Sequence, residues 1–350
     1  METGAIDMPC VAWLAGRFVD PLLRSHTFHG PDRRDKSTQS PPTRHMTSNA
    51  LAPVRPLPAG SRVALVAPSG VIRNPGQIER AVENVRSLGW IPSVAENVSA
   101  AHAYFAGPDD QRLYGLNSAI RDDSIDAIWC VRGGYGAMRL LRDIDFPALK
   151  ANPRPVIGFS DITALHAAIH RECGIVTFHG PTARGELTDF SRDKLARAVL
   201  DQADSCGAAP EGRTLRPGNA AGRLAGGNLA LVTALIGTPW SVDFEGAILL
   251  LEDIDEAVYR VDRMMQQLLL SGGLERCAGI VAGDFRRPEG EQEEDNRTID
   301  EVIAEAADSA GIPCFAGAPF GHIGDQWTIP LGAFAEMRAG DCTLHVTGGK

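Results

Sequence analysis

Between residues 62 and 178 the chain alternates short apolar runs with stretches whose apolar residues recur every three or four positions, and this alternation restricts the fold more than any other feature. Residues 63–67, Val-Ala-Leu-Val-Ala, read as a buried strand; Ile78, Ala81, Val82, Val85 and Leu88 follow at helical spacing and are closed by Gly89. The unit repeats, with strands at 91–95, 127–131, 155–158 and 175–178 and helices around 111–120, from Ala137, and at 162–173. Continuously apolar strands separated by helices imply an α/β domain, a parallel sheet covered on both faces. Ligands of such sheets lie beyond the carboxyl ends of the strands, so the loops after Ala67, Val131 and Gly158 are where chemistry is to be sought.

A length of 350 residues accommodates about two domains of ~150 residues. Residues 1–55 fall outside the pattern, with three histidines and a Pro/Ser/Thr run at 37–43, and read as a disordered extension. The apolar run at 8–16 follows Glu2 and Asp7 instead of a basic segment, which argues against a secretion signal. Residues 56–205 form the first domain, the Gly, Pro, Ala and Arg-rich stretch 206–221 a linker, and 222–350 a smaller mixed α/β domain. In the latter, a helix is expected at 228–236, a strand at 247–251, and an amphipathic helix through Val258, Val261, Met265 and Leu268. A strand at 278–282 and shorter ones near Pro313, Trp327 and Cys342 complete it, and the acidic segment 289–295 reads as a solvated loop.

Thirty-four Lys and Arg against 44 Asp and Glu leave a net charge of −10, a poor match for nucleic acid or an anionic membrane surface. Seven scattered cysteines without a Cys-x-x-Cys pair fit a reducing compartment. No apolar run approaches the ~18 residues of a spanning helix.

Ser160 stands where the apolar strand Val156-Ile157-Gly158 turns abruptly into a helix. A serine at such a corner projects its hydroxyl away from the sheet, and the next amide, that of Asp161, faces a developing oxyanion from a helix N-terminus. Taken alone, a helix cap at Ser160 or Asp161 is the simpler reading, because the final glycine of Gly-x-Ser-x-Gly is missing. Residues 131–136, Val-Arg-Gly-Gly-Tyr-Gly, let backbone approach a ligand, so Gly133 or Gly134 could supply a second oxyanion donor; a tight turn without function is the alternative. The loop is neither Gly-x-Gly-x-x-Gly nor a P-loop, which counts against a nucleotide or flavin cofactor.

Glu252 ends the apolar strand at 248–251, where burial demands a partner, and could orient a histidine. With Asp253, Asp255 and Glu256 it could instead favour the N-terminus of the following helix or hold a divalent ion. His322, in the glycine-flanked loop 319–326, is a candidate general base or a solvated side chain. His166 and His170 have metal-ligand spacing without the glutamate of His-Glu-x-x-His, so packing is the simpler reading, and His179 at a strand end would shape the pocket. A serine, a glutamate and a histidine at strand ends and loops permit a Ser-His-Glu hydrolase.

Six segments in order, Val131-Arg-Gly-Gly-Tyr-Gly136, Gly158-Phe-Ser-Asp-Ile-Thr-Ala-Leu-His166, Phe178-His-Gly-Pro181, Gly226-Gly-Asn-Leu229, Leu251-Glu-Asp253 and Pro319-Phe-Gly-His322, resemble the LD-carboxypeptidase family over about 62–346. The resemblance implies a flavodoxin-like N-terminal domain, a smaller C-terminal domain, usually a homodimer, and an active site between the domains. It implies a cytoplasmic serine peptidase, without metal or cofactor, that removes the terminal D-alanine of murein tetrapeptides during cell-wall recycling; microcin C immunity peptidases are also members. Ser160 would be the nucleophile, His322 its base, Glu252 the residue orienting that base, and Asp161 with Gly133 or Gly134 the oxyanion donors. Arg132 is a candidate partner for the substrate's terminal carboxylate. Two segments depart from the pattern and bear on specificity: Thr182-Ala-Arg-Gly185, and Asp284-Phe-Arg-Arg-Pro288 with the acidic stretch behind it. A peptidase or amidase acting on aminoacyl conjugates and a non-catalytic two-domain ligand-binding protein are the rival readings.

Overall fold

The strand β1 (Arg62–Val66) is buried along all but its first residue and pairs in parallel with β2 (Ile91–Val94) on one side and β3 (Ala127–Cys130) on the other. The computed structural model describes residues 51–286 and 297–347; the expectations for residues 1–50 and for the acidic loop 289–295 lie outside these. Beyond β3 follow β4 (Val156–Gly158) and β5 (Thr177–His179), again parallel. The order β5-β4-β3-β1-β2 is that of a flavodoxin-like sheet. Its helices α1 (Gly76–Ser87), α2 (Asp109–Arg121), α3 (Phe146–Ala151) and α4 (Thr163–Cys173) follow the expected alternation with one change. The helix foreseen from Ala137 is a single 3-10 turn, Ala137–Arg139, and regular helix resumes at α3, where the Asp145 carboxylate accepts the Ala148 N–H at 3.1 Å.

α4 is buried from Thr163 through Ile169, unlike a surface helix, because it lies between the first sheet and the second. It ends at Gly174, left-handed at φ 70°, where glycine carries no steric cost. After α5 (Asp189–Val199), the chain enters an eight-stranded sheet. The stretch 206–221, expected as a linker, contains β6 (Gly207–Ala208), β7 (Arg213–Arg216) and the first residues of β8 (Asn219–Asn228). Its Gly, Pro and Arg content hides edge strands, since an edge strand needs no continuous apolar run. The remaining elements are α6 (Leu229–Ala234), β9 (Ala247–Ile254), α7 (Val258–Leu270), α8 (Gly273–Arg276), β10 (Gly279–Arg286), α9 (Ile299–Ala310), β11 (Cys314–Ala316), β12 (Ile329–Leu331), β13 (Phe334–Arg338) and β14 (Thr343–Thr347). The second sheet runs β6-β14-β13-β8-β9-β10-β11-β7, parallel from β8 to β11 and antiparallel elsewhere.

β12 packs its side chains into the second core but pairs outside the second sheet. It pairs antiparallel with β5 and closes the edge of the first sheet, so a strand from the C-terminal third completes the N-terminal one. Residues 51–55, expected to be disordered, are also bound: the Ala52 N–H donates to the Gly174 carbonyl at 2.8 Å and the Ala52 carbonyl accepts from Val176 at 2.9 Å.

Each face of β9 feeds a different core. Leu249 and Leu251 join the apolar cluster that spans both sheets, whereas Ile248 and Leu250 face the one built around Phe315, Phe320 and Trp327. Leu249→Ala is therefore expected to cost about 2–5 kcal/mol by loss of burial and cavity formation, read as a lowered urea midpoint with unchanged m-value.

Candidate active site

At the end of β4 the extended residue Phe159 is followed by Ser160 in the left-handed region at φ 63°. A non-glycine residue there costs of order 1–3 kcal/mol, so surrounding contacts must hold it. The 3-10 turn Ser160–Ile162 runs directly into α4, placing the Asp161 amide among the unpaired donors of a helix start. The glycine loop after β3 closes over the turn. A Cβ on Gly133 would lie 2.9 Å from Ser160 Cβ and 3.1 Å from its Oγ, so only glycine allows this approach.

The two loops are tied together by a buried carboxylate: Asp161 accepts the Ala137 N–H at 2.8 Å. Its own burial pushes its pKa upward. Arg112, also buried, donates from α2 to the carbonyls of Pro68 and Gly136 and pairs with Asp109, joining the loops after β1 and β3. The Gly70 N–H donates to the Gly133 carbonyl at 3.0 Å, while the amides of Gly133 and Gly134 donate to nothing among the described residues.

From the second sheet, β9 delivers Glu252, with no exposure to solvent. Its Oε2 accepts a 2.8 Å hydrogen bond from Nδ1 of His322, whose side chain keeps 18% of its surface exposed. Gly321 makes the pair possible: at φ 111°, a Cβ there would sit 3.1 Å from both Cβ and Oε2 of Glu252. The imidazole stands edge-on to the Phe159 ring at 4.9 Å between centroids, which sets His322 against the residue before Ser160. Ser160 Oγ has no hydrogen-bond partner among the described residues.

The sheets are joined next to this turn. The N–H of Asn228, opposite Glu252 in the β8–β9 ladder, donates to Thr163 Oγ1 at 3.0 Å at the start of α4. Asn228 Nδ2 donates to Asp253 at 2.9 Å, and the other Asp253 oxygen accepts from Ala230. Burial raises the Asp253 pKa to about 6. The acidic cluster is thus divided: Glu252 serves a histidine and Asp253 a helix start. Among the described residues no group of three or more His, Cys, Asp or Glu side chains is placed to hold a metal ion.

The structure brings Ser160, Asp161 and Gly133 together and sets the Glu252–His322 pair against Phe159, the residue before Ser160, but holds Gly134 apart, at φ 106° against Gly70. Arg132 donates to the Val71 carbonyl beside the glycine loop. His166 is a packed core residue, its Nε2 donating to the Gly158 carbonyl at 2.9 Å; His170 meets Thr177 Oγ1 at the same distance. His179 packs between the rings of Phe159 and Phe320 without a hydrogen bond to either ring nitrogen among the described residues. Thr163 and Asn228 lie within the segments 158–166 and 226–229 without a role legible there, and Arg112 lies in none, since nothing local marks a polar residue that acts on a distant loop.

Both halves of this arrangement correspond to known domain families. Residues 63–180 match the LD-carboxypeptidase N-terminal domain and residues 221–337 the LD-carboxypeptidase C-terminal domain. The chain belongs to the LD-carboxypeptidase family, and the class of enzyme is a carboxypeptidase. It is 35% identical over 299 residues to the probable murein peptide carboxypeptidase of Bacillus subtilis, covering 83% of this chain and 92% of that one. It is 32% identical to the murein tetrapeptide carboxypeptidase of Pseudomonas aeruginosa, covering 83% and 98%. Among solved structures, muramoyltetrapeptide carboxypeptidase from Oxalobacter formigenes superposes with a TM-score of 0.71 at 28% identity, over 83% of this chain and 99% of that one. The microcin C7 self-immunity protein MccF shares the fold, with a TM-score of 0.77 at 23% identity over 85% and 98%. None of the helices among the described residues is long and apolar enough to cross a membrane.

Burial lowers the pKa of His166 to about 4 and that of His179 to about 3. In the unfolded chain both titrate near ~6.5, so below that pH the unfolded state takes up protons that the folded state refuses. Stability is complete above ~6.5 and falls with pH by about 1.4 kcal/mol per unit per histidine until the folded values are reached. Urea unfolding is expected to show a lower midpoint at pH 5 than at pH 7. His166→Gln, which keeps a donor for the Gly158 carbonyl, should recover about 2 kcal/mol of that difference.

Proposed function

We propose that the chain is a serine LD-carboxypeptidase that hydrolyses the L,D bond of a murein tetrapeptide and releases its terminal D-alanine. The observation that carries this reading is the buried Glu252–His322 pair presented to the turn that holds Ser160 in the left-handed region. An ionised carboxylate only accepts hydrogen bonds, so His322 Nδ1 carries the proton toward Glu252 and Nε2 is left with its lone pair. As substrate binds, Nε2 takes the Ser160 proton while Oγ attacks the carbonyl before D-alanine; catalytic hydrogen bonds of this kind commonly form only in the Michaelis complex. His322 then protonates the leaving amine, and water activated by the same imidazole resolves the acyl-enzyme. Glu252 holds the tautomer and stabilises the imidazolium. The Asp161 amide and that of Gly133 supply the oxyanion donors, each worth about 3 to 4 kcal/mol in the transition state. Gly134, turned toward Gly70, is the weaker candidate for the second donor.

Incubation of the protein with murein tetrapeptide is expected to release D-alanine, undiminished by a chelator, and Ser160→Ala should lower kcat by at least about a thousandfold because triad members act as a unit. Full activity in Ser160→Ala would remove the serine mechanism. Absence of D-alanine release from the folded wild type, with cleavage of aminoacyl conjugates instead, would favour the alternative reading. Gly133→Ala, whose methyl would press on Ser160 Cβ and the Phe159 carbonyl, is expected to lower kcat and to lower the melting temperature as well.

A further inference from the structure

Arg184 lies in the segment where the sequence departs from the family pattern, and the fold fixes its backbone at the carboxyl edge of the sheet, where β3 leads into the glycine loop. After β5 the chain crosses the carboxyl edge of the sheet: the Ala183 N–H donates to the Cys130 carbonyl at 3.0 Å and the Arg184 N–H to the Val131 carbonyl at 3.3 Å. Arg184 is thereby docked on Val131, the residue before Arg132 and two before Gly133, the glycine that approaches Ser160. The loop is held from α1 as well. Asn84, itself buried, donates its side-chain amide to the carbonyls of both Ala183 and Gly185 at 2.8 Å, on either side of Arg184. The Arg184 guanidinium rests on Gln77 Oε1 at 3.0 Å.

Two half-buried arginines therefore lie near enough for their like charges to oppose each other, and neither has an acidic partner among the described residues. Among the described residues neither Arg132 nor Arg184 forms an ion pair, and each spends donors on a single neutral acceptor, Val71 carbonyl oxygen for one and Gln77 for the other. A guanidinium has five N–H donors in a planar fork that matches a carboxylate. Partial burial and the like charge of Arg132 both oppose the charged form of Arg184, an arrangement that an entering anion would relieve. Arg223 and Arg297, likewise half-buried, by contrast meet acids, with Arg223 pairing with Asp243 at 2.7 Å and Arg297 with Asp262 at 2.7 Å.

We propose that Arg184, held by Asn84 and Gln77, forms with Arg132 the subsite that receives the free α-carboxylate of the substrate's C-terminal residue, and so determines that the enzyme trims chain ends. The inference rests on the carboxypeptidase reading above. The class of ligand is a peptide ending in an unblocked carboxylate, and a peptide whose terminus is an amide lacks the charge the two arginines would meet.

The test compares a tetrapeptide ending in D-alanine with the same peptide ending in D-alaninamide, for the wild type, Arg184→Gln and Arg184→Lys. The wild type is expected to prefer the acid. In Arg184→Gln the ratio of kcat/KM for acid over amide should fall at least tenfold, mainly through KM for the acid, and Arg184→Lys should recover part of it. An unchanged ratio in Arg184→Gln, or an equal loss on both peptides, would overturn the subsite while leaving the carboxypeptidase reading intact. A wild type that cleaves neither peptide would remove that reading, and the subsite with it.

Discussion

A carboxylate without solvent contact, directly after the apolar run of β9, is the constraint from which the active site is built. Glu252 follows five buried residues of β9, Ala247 to Leu251, whose two faces are packed into separate cores. Its side chain cannot relax toward water without displacing that strand. Only His322 meets it among the described residues, and removal of either member leaves a buried group unsatisfied. The loop carrying His322 must therefore pass against Glu252, and Gly321 is the residue that permits it. The orientation of the imidazole is thus a property of the core and not of the loop.

A second level of organisation acts on the loops of the first sheet. Their mutual positions are set by polar side chains taken out of water: Asp161 on Ala137, Arg112 on Pro68 and Gly136, Asn84 on Ala183 and Gly185. Each joins segments far apart in sequence at the same sheet edge. Buried hydrogen bonds of this kind add modestly to stability but are costly to break, which makes the loops rigid rather than merely present. The left-handed Ser160 persists because its neighbours on both sides are held: Phe159 against His322, and Thr163 by the Asn228 amide.

The parts of this organisation that could be read from the sequence are those written in local patterns. The alternation of strands and helices over β1 to β5 is visible because parallel strands buried on both faces are continuously apolar. Ser160, Glu252 and His322 stand out because each occupies the end of such a strand or a glycine-flanked loop. Long-range pairing leaves no such mark. β6 and β7, short and without an apolar run, read as linker because edge strands share their composition with loops. β12, with Pro330 at its centre, looks like an appendage of the second domain until it is seen at the edge of the first sheet, where a missing N–H is tolerated. Arg112 and Asn84 act across the molecule, and their helices show only a polar residue on an otherwise amphipathic pattern.

The position of β12 also bears on how the chain is made. On a ribosome, β1 to β5 emerge well before residues 329–331, and until then β5 ends the sheet as an unpaired edge. An open edge of a parallel sheet is a template for the wrong partner as much as for the right one. The N-terminal half therefore waits, incomplete, for about 150 further residues of synthesis, at roughly 5–20 residues per second, before its own sheet can close. Two segments that a domain map separates are one cooperative unit during biogenesis, and a break in the chain between them would leave the earlier half with its edge exposed.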